Sequence, residues 1–121
     1  NSFGHAEPPP LSPAQQTAIR EVKQRASTIQ SVNRSIWEFA ELGLEETKSA
    51  ALLVEQLRAA GFQVETGVAG MPTAFVASWG SGAPVFAFLS EYDALPELSQ
   101  VAEPRQEARV AGAGGHGCGH N

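Results

Sequence analysis

Apolar side chains at Ile19, Val22, Ala26, Ile29, Val32, Ile36 and Ala40 recur every three or four residues, the repeat of one stripe on an amphipathic helix. Ser12-Pro13-Ala14-Gln15 supplies its start: a capping serine, a proline in the first turn and a glutamine where a capping box wants one. Gly43 interrupts the pattern. A second helix is predicted from about Glu46 to Ala60, with Ala50, Leu53, Val54 and Leu57 on one face and Gly61 as its C-terminal stop. Ahead of both helices, residues 1–11 are polar and proline-rich, an extended arm with nothing to pack.

After Gly61 the period changes. "FQVETGV" alternates, "TAFVASW" is rich in β-formers, and "APVFAFLSE" is apolar almost to its end. The glycines of "GSG" at 80–82 suit a hairpin turn between the last two segments. A continuous apolar strand is usually covered on both faces, as in the middle of an α/β sheet. From Asp93 onward regular structure is expected to fade into a Pro- and Gly-punctuated loop of about 20 residues, a length that in a compact domain is usually functional or disordered. The predicted class is α/β, a three-stranded sheet with two helices that is short of cover on one face. Residues 12–121 read as one incomplete domain.

The chain has 121 residues, a size for one domain, with 42% hydrophobic and 17% charged residues as in an ordinary globular chain. A net charge of −5 speaks against a nucleic-acid partner, and no apolar run is long enough to span a membrane. A single cysteine, Cys118, allows no internal disulfide and leaves a buried thiol, a ligand, a nucleophile or an intermolecular partner. Asn1 in place of Met fits a processed, exported chain, and equally a cytoplasmic one cut from a longer polypeptide.

Candidate chemistry is concentrated in two places. In "GAGGHGCGHN", Cys118 and His120 are two apart, so in an extended segment they point to one side with Cα atoms about 6–7 Å apart. Thiolate and imidazole then reach one zinc ion at about 2.3 and 2.0 Å. His116 is a further candidate, and needs a turn to join them. A glycine-rich surface loop that merely contains Cys and His is the competing reading, and a Cys–His nucleophilic pair a third. The other place is "SEYDALPEL", where Glu91 and Asp93 stand on one side of a strand exit. Ligands gather beyond the carboxyl ends of strands in open sheets, and metal-bound histidines commonly donate their second N–H to a carboxylate. A polar strand exit with a proline turn explains the same acids. Trp37 and Phe39 read as packing residues, and His5, in the arm, as inert.

Three stretches, "EFAELGLEETKSAALLVEQLRAAGFQVETGVAGMPTAFVA", "FLSEYDALPELSQ" and "GGHGCGHN", together resemble the amidohydrolase branch of the aminoacylase/carboxypeptidase-like metallopeptidases, which includes p-aminobenzoyl-glutamate hydrolases and related dipeptidases. The resemblance implies the N-terminal part of a two-metal exopeptidase-like catalytic domain, a mixed sheet flanked by helices, that uses two divalent ions, zinc or manganese, with zinc favoured by the thiolate. It implies Cys118 and His120 as metal ligands and supporting places for Asp93 and Glu91, the latter standing where the wider clan has a ligand histidine. His116 matches a branch histidine without an assigned role. The implied activity is hydrolysis of amide bonds in N-acyl amino acids, p-aminobenzoyl-glutamate-like compounds or dipeptides by metal-activated water. The family's adjacent glutamates, later histidines and inserted domain that pairs subunits are not in residues 1–121. They would come with the rest of the catalytic domain, on a second chain if not on this one, and homo-oligomerisation would run through the inserted domain. The alternative is a metal- or partner-binding fragment without turnover.

Overall fold

A computed structural model describes residues 9–121, so most of the N-terminal arm, His5 included, lies outside the described residues. The described chain is a small α/β assembly that divides into two compact units, one ending at Gln30 and the other running from Ser31 to Asn121. No helix among the described residues is long and apolar enough to cross a membrane.

Helix α1 spans Pro13–Gln24 and begins as the sequence predicts, with a complete capping box between Ser12 and Gln15 and Pro13 in the first turn. The stripe does not continue as one helix. Arg25, at φ −93° and ψ 2°, ends α1, and α2 runs Ala26–Phe39. Nor is the whole stripe buried: Ile19, Val22 and Ile29 are exposed, and Ile36 is the buried residue of α2. The period specifies which face is apolar, but not whether anything covers it. Helix α2 also stops short of Gly43, because Ala40 turns to φ 45°.

Helix α3, Thr47–Ala59, matches the second predicted helix, and buries Val54 and Ser49. No side chain of its own N-cap residue, Glu46, bonds its first turn. The cap comes instead from Glu41 in the preceding connection, whose carboxylate accepts from Thr47 Oγ1 (3.2 Å), Lys48 N (2.9 Å), Ser49 N (2.8 Å) and Ser49 Oγ (2.8 Å). An anion on the free amides of a helix start is doubly favoured, by hydrogen bonding and by the helix dipole. Burial alone would raise the Glu41 pKa, but the amides of Lys48 and Ser49 and the two hydroxyls outweigh it and hold the carboxyl below its ordinary value.

Strands β1, Gln63–Thr66, and β2, Phe75–Ser78, form an antiparallel pair in which Val64 faces Ala77. Both pack on α3. The connection turns at Gly67, φ 72°, whose amide donates to Ala74 O at 2.8 Å. Two expectations are corrected here. The hairpin joins the first two β segments rather than the last two, and residues 84–91 form no strand. Val85, Phe86, Phe88 and Leu89 are 83%, 80%, 92% and 98% exposed. The apolar run is real, but a strand exists only with a ladder partner. β1 and β2 take each other, and the sheet among the described residues is two-stranded and antiparallel.

Beyond the run, order returns through backbone pairing. Ala94, 2% exposed, bridges to Leu42 through its amide and Glu41 O (2.8 Å), and Leu95 exchanges two 3.0 Å hydrogen bonds with Gly115. Ser99 N to Ala113 O (3.1 Å) continues the pairing. The intervening loop is tied across its neck by Val101 N to Glu107 O (2.9 Å), and by Gln100 Nε2 to Arg105 O (2.6 Å).

Because the Glu41 pKa is lowered, its contribution to stability is present above the unfolded carboxylate value and is lost as pH falls through the folded one. Glu41→Gln is expected to destabilise the chain by about 1 kcal/mol near neutral pH, the usual worth of a helix cap, and to flatten the acid limb of the stability profile. A chemical melt series from pH 7 to pH 3 checks both, and an unchanged acid limb would remove Glu41 from that role.

Candidate functional site

The segment Glu91-Tyr92-Asp93 is extended, so its side chains alternate between two sides. Tyr92 points inward: its ring stacks on Phe75 with centroids 5.8 Å apart, and its hydroxyl donates to Thr73 O. Thr73 Oγ1 in turn donates to the buried Glu46 carboxylate at 2.5 Å. Burial, and then the negative charge of Glu46, push the Tyr92 phenol above its ordinary value, so the hydroxyl stays a donor. With Tyr92 anchored inward, Glu91 and Asp93 are turned to the other side.

There they meet His120. Its Nδ1 lies 2.8 Å from Asp93 Oδ1 and its Nε2 lies 3.2 Å from Glu91 Oε2. The pairing of Leu95 with Gly115 brings the two stretches into register, and it tolerates no side chain at 115, where a Cβ would stand 1.9 Å from Leu98 O. A turn follows, closed by Gly119 N to His116 O at 3.4 Å, and Gly119 takes φ +75°. Cys118 lies in this turn, exposed and free.

A carboxylate at each ring nitrogen favours the doubly protonated imidazolium. The hydrogen bond to Asp93 contributes most to raising the His120 pKa above 6.5; partial burial opposes it, and the charges of Glu91 and Asp93 add to it. An ion bound at Nε2 has to displace the proton there, while Asp93 keeps the one on Nδ1. That is the orientation in which ligating histidines are commonly held.

Asp93, Glu91 and His120 are thus brought together, with Cys118 in the adjoining turn. His116 is not among them: the turn it needed is present, but its Nε2 faces Ile36 O at 3.1 Å. Thiolate, imidazole and carboxylate are the donor types a zinc-like ion takes. Among the described residues, however, no three or more His, Cys, Asp and Glu side chains converge into a set that could hold a metal. The sequence patterns pointed to no site role for Tyr92, Thr73 or Glu46, although an aromatic residue between two acids was a usable signal.

No family model matches the chain. Among curated proteins it is similar to a p-aminobenzoyl-glutamate hydrolase subunit of Escherichia coli (strain K12), 47% identical over 105 residues, which make up 86% of this chain and 21% of that protein. Thermostable carboxypeptidase 2 of Saccharolobus solfataricus is 34% identical over 84% of the chain and 25% of its own length. Xaa-Arg dipeptidase of Mus musculus is 33% identical over 86% of the chain and 23% of its own length. The resemblance read from the three motifs is borne out, and the chain spans about a fifth to a quarter of the length of these relatives.

In the metal-free chain, the His120 ring is expected to titrate above the ordinary histidine value, and Asp93→Asn to bring it down. A raised pKa means that the contact stabilises the fold fully below the unfolded value and is lost as pH rises through the folded one. Ring-proton NMR across pH 5 to 9 tests this; an Asp93→Asn midpoint equal to that of the parent chain would refute it.

Proposed function

By homology the chain belongs with the peptidases and amidohydrolases that include p-aminobenzoyl-glutamate hydrolase, and on that premise we propose that it supplies part of the site of a metal-dependent amide hydrolase. The observation that carries the reading is the His120 imidazole held by Asp93 and Glu91, two residues from an exposed thiol. Cys118 and His120 Nε2 would hold a divalent ion, zinc or manganese, one of two in the complete site. When bound, such ions polarise an amide carbonyl and acidify water. Asp93 keeps the Nδ1 proton and the ring orientation, and Glu91 lies where it can take the proton displaced from Nε2. The substrate class is small: N-acyl amino acids, p-aminobenzoyl-glutamate-like compounds or dipeptides, by analogy with what the relatives' names state. The carboxylate that shuttles the proton to the leaving amine, and the remaining metal ligands, lie outside residues 1–121.

The remainder of the catalytic domain docks, in this reading, on residues 84–89. Burying Val85, Phe86, Phe88 and Leu89, all now exposed, is worth about 6–12 kcal/mol at roughly 1.5–3 kcal/mol for each side chain. A strand laid beside them would also satisfy the backbone of the run.

With the rest of the domain supplied, Cys118→Ala and His120→Ala are each expected to abolish stoichiometric zinc binding, and Asp93→Asn to weaken it about 10–100-fold. Metal analysis after dialysis reads this out, and full zinc content in either ligand variant sinks the assignment. Amide hydrolysis is expected only when the rest of the domain is supplied. Zinc binding without turnover in that assembly would identify a binding module instead, and turnover by residues 1–121 alone would end the divided-site reading. Phe88→Glu is expected to prevent assembly while leaving the thermal melt of the separate chain unchanged, which pull-down with the supplied remainder and calorimetry together would show.

A further inference from the structure

His116 stands in the closing motif without facing the carboxylates that hold His120. Its Nε2 lies 3.1 Å from the Ile36 carbonyl. A carbonyl only accepts, so the ring proton sits on Nε2 and Nδ1 carries a bare lone pair. That Nδ1 is buried and has no hydrogen-bond partner. Leaving an acceptor dry is costly, and a leucine would fill similar space without that cost. What the imidazole adds is one directed bond to the last turn of α2.

A helix carbonyl that already accepts one amide keeps a second lone pair, which a side chain can use. Ile36 O takes Ala40 N at 3.1 Å and keeps a lone pair for His116. Helix α2 is tied to residues 109–121 at two more points: from its middle Asn33 Nδ2 donates to Asn121 O at 2.9 Å, and at its end Glu38 O accepts from Arg109 Nη2 at 2.8 Å. Arg109 also lies over the Trp37 ring, 4.6 Å from its centre, with Arg34 at 4.4 Å. His116 is the innermost of the three ties, between Gly115, locked to Leu95, and the turn that carries Cys118.

We propose that His116 is a positioning residue: its Nε2–H bond to the Ile36 carbonyl fixes the turn from which Cys118 and His120 reach a metal, and it makes no bond to the ion. The proposal rests on the reading of Cys118 and His120 as ligands, and adds α2 to the site as its support.

Titration with Co²⁺, followed by the absorption of its bond to thiolate, tests it alongside nitrogen NMR of the ring. His116→Gln keeps an N–H donor of similar reach, and His116→Leu removes it. The expected results are an Nε2–H tautomer, Co²⁺ affinity about 10–100-fold weaker in His116→Leu with an unchanged melt, and recovery of most of that loss in His116→Gln. An Nδ1–H tautomer, parental affinity in His116→Leu, or a glutamine variant as weak as the leucine one overturns the proposal. Should the chain bind no Co²⁺ even with the rest of the domain supplied, the ligand reading fails. The tautomer and the amide exchange of residues 117–119 then decide on His116: faster exchange in His116→Leu and parental exchange in His116→Gln support it, and no change in His116→Leu overturns it. Should His116→Leu not fold, the tautomer and the glutamine variant decide.

Discussion

Two reciprocal backbone hydrogen bonds join Leu95 to Gly115, and the arrangement around His120 follows from the register they set. The residues with candidate chemistry lie in two stretches, one around Asp93 and one around Cys118, separated by a loop that contributes no donor to the site. Each stretch alone is flexible chain. Paired through Leu95 and Gly115, with Leu98 O filling the space where a side chain at 115 would stand, they place Asp93 and Glu91 at opposite nitrogens of one imidazole. The order of support then runs outward, from the pair to the bridge between Ala94 and Leu42, and from there to Glu41 and the start of α3.

Much of this was legible where the chemistry is local. The capping box at Ser12, α3 with its glycine stop, the two short strands and the same-side placing of Glu91 and Asp93 are written in neighbouring residues, and all are found. Features that depend on a partner elsewhere were not legible. Glu41 reads as an ordinary surface acid until the start of α3 folds back onto it. His116 reads as a third ligand until α2 offers it a carbonyl. The run at 84–89 reads as a central strand because hydrophobicity reports what a segment needs covered, not whether the cover is present.

That last difference explains how a small core and an exposed apolar run coexist in one chain. Ile36, Val54 and Ala94 are the fully buried apolar residues among those described, a modest core for the second unit. Polar ties carry an unusual share of the organisation instead: Glu41 on α3, Tyr92 on Thr73, Arg109 on Glu38. Such ties are directional, so they define geometry well, but each contributes only about 0.5–1.5 kcal/mol net. A chain built this way holds a site in shape more readily than it resists unfolding.

The alternation at Glu91-Tyr92-Asp93 bears on how such a site can change over evolutionary time. Replacing a side chain there alters one contact and leaves the others standing. Inserting or deleting a single residue between Ser90 and Ala94 does something different in kind. It rotates the segment by one step, sends the tyrosine outward and drives both carboxylates toward Phe75 and Thr73. Spacing is thus a constraint on this segment separate from the identity of its side chains, and room for an added residue lies instead in the loop between Gln100 and Gly112, where the backbone ties back on itself before rejoining the site.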